Sequence, residues 1–168
     1  RSPLHEVRLF ALLMLVQKFS RGDEKTRAAI YNAYLDNTRY INNWDLVDSS
    51  ASYIVGVWLR ERNKQPLHKL AKSKNLWERR IAMLATFDFI RNREFDDALS
   101  IAELLLNDPE DLMHKAVGWM LREIGNRDSQ AEKAFLKLHY KNMPRTMLRY
   151  AIEKFPEKER QNYLAGIV

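Results

Sequence analysis

The run Ile41-Asn42-Asn43-Trp44-Asp45-Leu46-Val47-Asp48-Ser49-Ser50 reads as the opening of a helix. An asparagine side chain accepts a hydrogen bond from a free backbone N–H, so Asn43 is the expected N-cap and Trp44 the first helical residue. Asp45 then falls in the first turn, where a negative charge complements the helix dipole. Asp48 stands four residues after Trp44, so the indole and the carboxylate share one helix face about one turn apart. An aromatic ring beside a carboxylate can hold a cationic or electron-poor group between them. The same spacing allows a plainer arrangement, with Trp44 anchoring the core and Asp48 a solvated charge.

Working outward, helical periodicity runs almost from end to end. It predicts helices over Leu4–Ser20 and Asp23–Asn37, separated by Arg21-Gly22, then Asp45–Arg60 and a short helix near Pro66–Ser73. Asn75 and Glu78 have capping-box spacing and predict a helix to about Asn92. Glu94–Asn107 follows, and Asp108-Pro109 ends it, with proline expected at the first position of Glu110–Gly125. Asp128–Tyr140, Pro144–Phe155 and Pro156–Gly166 complete the series.

Taken two at a time, the first helices of successive pairs start near His5, Trp44, Leu76, Glu110 and Pro144, at spacings of 39, 32, 34 and 34 residues. A near-constant period of two helices is the signature of a stacked helical repeat, HEAT-like in length. The fold class expected is therefore all-α, an α-α superhelix with a concave inner surface. No Gly/Ser/Pro linker interrupts it, so residues 1–168 are expected to form one domain. Counting five residues from Asn43 gives Asp48, and five from Asn75 gives Arg80. These two side chains occupy equivalent positions on consecutive first helices and should face one groove.

The stretch Glu110–Gly125 adds a third element. Its core stripe reads Leu112, Ala116, Val117, Met120 and Ile124, while Lys115, Trp119 and Arg122 lie together on another side. Cations can meet phosphates while an indole offers a π-face. A tryptophan tucked against the neighbouring repeat has the same spacing. Arg145 and Arg149 continue the basic pattern one repeat further on.

Composition narrows the classes. With 46% hydrophobic and 30% charged residues the chain has the make-up of a soluble globular domain. The absence of cysteine excludes disulfides and thiolate metal sites. His5, His68, His114 and His139 lack ligand spacing, so no metal is expected. The net charge of +6 is uneven: residues 1–84 carry 15 Lys+Arg against 8 Asp+Glu, and residues 85–168 carry 13 against 14. A basic half suits an anionic partner such as nucleic acid, and a solvated basic surface gives the same count. Leu9–Val16 is apolar but short and flanked by Arg8 and Lys18, so it reads as a buried helix rather than a leader or membrane span. A cytoplasmic, membrane-free monomer is expected. The opening Arg-Ser-Pro, close to a helix and without methionine, suggests a fragment or processed form.

The runs NNWDLVD, LWERRIAMLAT, HKAVGWMLREIG and MPRTMLRYAIEKF resemble, in order and spacing, the DNA alkylation repair glycosylases of the AlkD type. The resemblance covers essentially the whole chain. It implies a HEAT-like superhelix, with further helices preceding the point where this chain begins. It also implies hydrolysis of the N-glycosidic bond of N3- and N7-alkylated purines in double-stranded DNA, with no cofactor. Trp44 and Trp119 match the cleft tryptophans of that family, Asp48 its catalytic carboxylate and Arg80 its cleft arginine. On that reading Asp48 stabilises the oxocarbenium-like sugar and the indoles pack on it, while Arg80 holds a phosphate. Arg80, Lys115, Arg122, Arg145 and Arg149 are the expected DNA-binding cations. Two other classes share the fold: a catalytically silent HEAT-repeat DNA-binding protein, and a protein-interaction scaffold.

Overall fold

The computed structural model describes residues 2–168. Among these the chain is all-helical and has no β-strand. The α-helices are α1 (His5–Arg21), α2 (Glu24–Asp36), α3 (Trp44–Asp48), α4 (Val57–Leu59), α5 (Gln65–Ala71), α6 (Leu76–Ala85), α7 (Phe87–Arg91) and α8 (Asp96–Leu104). They continue as α9 (Asp111–Gly125), α10 (Ser129–His139), α11 (Arg145–Ala151) and α12 (Glu157–Ala165). Short 3₁₀ turns fill Thr38–Tyr40 and Ile152–Lys154, and Ser52–Gly56 is π-helical. No helix of the described residues is long and apolar enough to cross a membrane.

The packing order follows the two-helix period. α1 contacts α3, α3 contacts α6, α6 contacts α9, and α9 packs most extensively on α11. These are the helices at which the five expected pairs begin. One continuous core joins them, including Leu46, Val47, Ile81, Leu84, Val117, Met120 and Met147, all nearly inaccessible to water. At roughly 1.5–3 kcal/mol for each large apolar side chain removed from water, this shared core supplies the main driving force for stacking.

Several local expectations are corrected by side-chain chemistry. The expected helix Asp45–Arg60 breaks after Asp48, because the Ser50 hydroxyl turns back to the Leu46 carbonyl at 2.5 Å and also meets the buried Tyr34 hydroxyl at 2.9 Å. Serine bonding to a carbonyl one turn back loosens the helix ladder, and the chain resumes through the π-helical segment. Thr86 interrupts the expected helix up to Asn92 in the same way, donating to the Met83 carbonyl at 2.7 Å.

The capping box at Asn75 does not form. Asn75 Oδ1 accepts from the Trp77 amide, but Glu78 accepts from the Ser73 and Thr38 hydroxyls and ties α6 to the Thr38 turn. Pro109 precedes the cap of α9 rather than opening the helix. Within α9, Leu112 is only half-buried, and Met113 takes the core place assigned to it.

Two glycines allow the close approaches. A β-carbon on Gly56 would lie 2.3 Å from the Ala85 carbonyl oxygen, so the π-helical segment rests directly on α6. On Gly118 it would lie 2.4 Å from the Met147 carbonyl oxygen and 2.5 Å from Tyr150 Cβ, so α11 lies backbone-close against α9. Gly118→Ala is therefore expected to lower stability by roughly 1–3 kcal/mol in urea unfolding, because backbone must move to admit the methyl group. Leu138→Gln, at an exposed position of α10, is expected to stay within about 0.5 kcal/mol of the wild type.

Glu132 of α10 is a buried carboxyl group. One carboxyl oxygen is sealed from solvent without a hydrogen-bond partner, and burial pushes its pKa up to about 8. The folded state therefore holds a proton that the unfolded chain releases at an ordinary carboxylate pKa. Its contribution to stability is full at acid pH and is lost as pH rises to about 8. Glu132→Gln is expected to match the wild type near pH 4 and to unfold at a higher temperature than it at pH 9.

Candidate active site

At the heart of the site is an ion pair between consecutive first helices. Arg80 of α6 donates from Nε to Asp48 Oδ1 and from Nη2 to Asp48 Oδ2, both at 2.8 Å. Its Nη1 donates to the Leu112 carbonyl of α9 at 2.7 Å. One guanidinium therefore joins three successive first helices. The Arg80 side chain is 6% exposed and that of Asp48 17%. A bidentate guanidinium–carboxylate contact fixes distance and plane together, and burial protects it from salt screening. The equivalence of the two positions in the repeat is thus a direct contact in the fold.

On the Arg80 side of this pair lies a cleft of about 250 Å³, lined by Trp44, Arg80, Leu112, Lys115, Trp119, Arg122 and Tyr150; Asp48 is not itself among the lining residues and adjoins the cleft through Arg80. Trp44 stands at the start of α3, where Asn43 Oδ1 accepts from its backbone N–H, and the residue is 54% exposed. Trp119 is held more firmly. Its Nε1 donates to Glu123 Oε1 at 3.2 Å, and its ring meets Phe87 at a centroid distance of 5.9 Å. Tyr150 is the aromatic that sequence spacing did not single out. It is a solvent-exposed residue of α11, and only the close Gly118 contact brings it to the cleft.

The cations divide. Lys115 pairs with Asp111 at 2.7 Å, a contact that raises the ammonium pKa and lowers that of the carboxyl. Arg122 of α9 pairs with Glu153 of the 3₁₀ turn that follows α11. Both line the cleft, each beside its own carboxylate. Arg145 does not reach it: its Nη1 donates to the Leu164 carbonyl at 2.6 Å, in a separate hollow by α12. Arg149 is solvent-exposed on α11 and is not among the residues lining the cleft. Arg80 is also corrected, since each of its nitrogens meets Asp48 or Leu112 and it is buried rather than extended toward a phosphate. Asp45 accepts from the Leu46 amide and meets His5 Nε2 at 2.7 Å, so it is bound up in the joint between α3 and α1.

The arrangement offers two indole faces and a phenol at the mouth, cations on one wall, and an oriented carboxylate behind them. It suits a ligand that is anionic at its edges and develops positive charge at its centre. Comparison with curated proteins and with solved structures finds no match. Residues 1–155 match the family model described as DNA alkylation repair enzyme. With that match spanning most of its length, the chain that forms these helices and this cleft belongs to the DNA alkylation repair enzyme family.

Proposed function

We propose that the protein is a DNA glycosylase that hydrolyses the N-glycosidic bond of N3- and N7-alkylated purines in double-stranded DNA. The observation that carries this reading is the Asp48 carboxylate, clamped by Arg80 beside a cleft that Trp44 and Trp119 line. The successive contacts of α1, α3, α6, α9 and α11 support a HEAT-like superhelix whose inner face bears this cleft.

Alkylation at N3 or N7 gives the purine a positive charge, so it leaves with the bonding electrons of the C1′–N bond without needing further protonation. The sugar left behind is oxocarbenium-like and water adds at C1′, as in glycoside hydrolysis. Each Asp48 oxygen accepts one Arg80 N–H and keeps a second acceptor site. The carboxylate can thus face the developing cation and orient the attacking water, while Arg80 holds it in place. The indole faces stabilise the same charge from the sides.

One observation favours a second reading, a DNA-binding protein without excision: both Asp48 oxygens already accept from Arg80, which offsets the carboxylate charge. Single-turnover release of N7-methylguanine, corrected for folded fraction, separates the two. Asp48→Asn is expected to lose excision about a hundredfold, near 3 kcal/mol of transition-state stabilisation. It also strands a buried guanidinium, so stability falls by roughly 3–5 kcal/mol. Asp48→Asn with Arg80→Gln is expected to regain stability without regaining excision. Asp45→Asn leaves the rate largely intact. A wild-type rate in Asp48→Asn assigns the chemistry elsewhere, and an inactive wild type that binds duplex DNA supports the second reading. In either case duplex affinity is expected to drop steeply with salt, and a flat dependence between about 50 and 200 mM contradicts DNA as the partner.

A further inference from the structure

Beside the cleft, and sharing the Trp119 wall with it, runs a second cluster that plays no part in the chemistry above. Phe87 lies between two guanidiniums: the Arg91 carbon stands 5.0 Å from its ring centroid and the Arg127 carbon 5.7 Å. Arg91 also covers the exposed Tyr53 ring at 5.2 Å. Phe87 touches Trp119 in turn, and Glu123 closes the circuit by accepting from Trp119 Nε1 at 3.2 Å and from Arg127 Nη1 at 2.7 Å. Arg127 Nη1 donates as well to the Glu123 carbonyl at 2.7 Å. Trp119, Glu123, Arg127 and Phe87 form a closed ring of contacts that fixes the indole and the guanidinium relative to each other.

The ion pairs in this cluster, which include Arg60 with Glu61 at 3.4 Å, leave many of its guanidinium donors unused. Asp88 is shared by two arginines, Arg60 at 3.0 Å and Arg91 at 3.3 Å, and it is nearly buried. Arg91 uses only Nη2 for that contact, and Arg127 only Nη1 for Glu123. The remaining N–H groups of both have no partner among the described residues, although a third of the Arg91 side chain and a quarter of that of Arg127 are exposed. Guanidiniums held over aromatic rings are weakly hydrated and lose little freedom on binding. Free N–H edges held in this way suit tetrahedral anions, which they meet bidentately.

We infer that Arg91 and Arg127, stacked on Phe87 and Tyr53, form a second contact track for the phosphodiester backbone of duplex DNA. It would hold a stretch of strand outside the lesion cleft. The link through Glu123 then ties the backbone contact to the orientation of Trp119. The inference rests on the reading of the cleft as a duplex-binding site, but not on excision.

Its test uses binding of an undamaged duplex by the whole chain, measured as log K against log salt. Removing one protein–phosphate interaction reduces the steepness of that line by about 1. Arg91→Gln with Arg127→Gln is expected to reduce it by about 2 and to weaken binding at least tenfold at low salt. Arg91→Lys with Arg127→Lys keeps the charge and is expected to keep most of the slope. Lys137→Gln, an exposed cation on α10, is expected to leave the slope unchanged. An unchanged slope in the glutamine pair overturns the inference. So does an equal reduction in the lysine pair with the helical circular-dichroism signal intact, since the effect would then follow from packing rather than charge. A wild type that binds duplex but releases no base refutes the glycosylase reading and leaves this one standing on its slope.

Discussion

The Arg80–Asp48 pair is the constraint on which the rest of the site depends. A buried guanidinium is tolerable only when its donors are met, and here a carboxylate from the preceding first helix and a carbonyl from the following one meet them. The contact is worth little as net stability against an apolar replacement of the same shape. It is worth much as geometry. It fixes the register of α3, α6 and α9 in which Arg80 is buried, and that register brings Trp44, Leu112 and Trp119 around a common space. The groups that build the cleft and the groups that align the stack are therefore partly the same.

Backbone proximity sets the remaining dimensions. Gly56 and Gly118 leave out β-carbons that would hold neighbouring elements apart, and the second of these lets Tyr150 approach the cleft. The breaks at Ser50 and Thr86 act in the same direction. A straight helix from Asp45 to Arg60 would carry its later residues along one axis, whereas the π-helical segment re-aims Tyr53. The result is a face on which aromatic rings alternate with guanidiniums, from Trp44 past Trp119 to Phe87, Arg91 and Tyr53.

Charge on this face is arranged in compensated pairs rather than as bare cations. Lys115 with Asp111, Arg122 with Glu153 and Arg127 with Glu123 each hold a cation in a defined place. An incoming polyanion would exchange these partners for phosphates. Such sites trade some electrostatic attraction for positional accuracy.

Much of this was legible from the chain alone. Helical periodicity, the two-helix period, the cap asparagines and the identity of the helices that stack are properties of local sequence, because spacing of apolar residues and capping are decided within one or two turns. The facing of Asp48 and Arg80 followed from counting along equivalent helices, and the four runs that carry the family resemblance lie in the matched region. What the tertiary structure alone decided is where long side chains end. Arginines reach several ångströms beyond their Cα positions, so residues of similar spacing parted company: Arg80 turned inward to a carboxylate, Arg122 stayed at the cleft, and Arg145 bonded to the end of α12. Glu78 left its expected cap for Thr38 and Ser73, and Tyr150 entered the cleft through a glycine contact thirty-two residues earlier in the chain. These outcomes depend on distances between helices, which no one-dimensional pattern encodes.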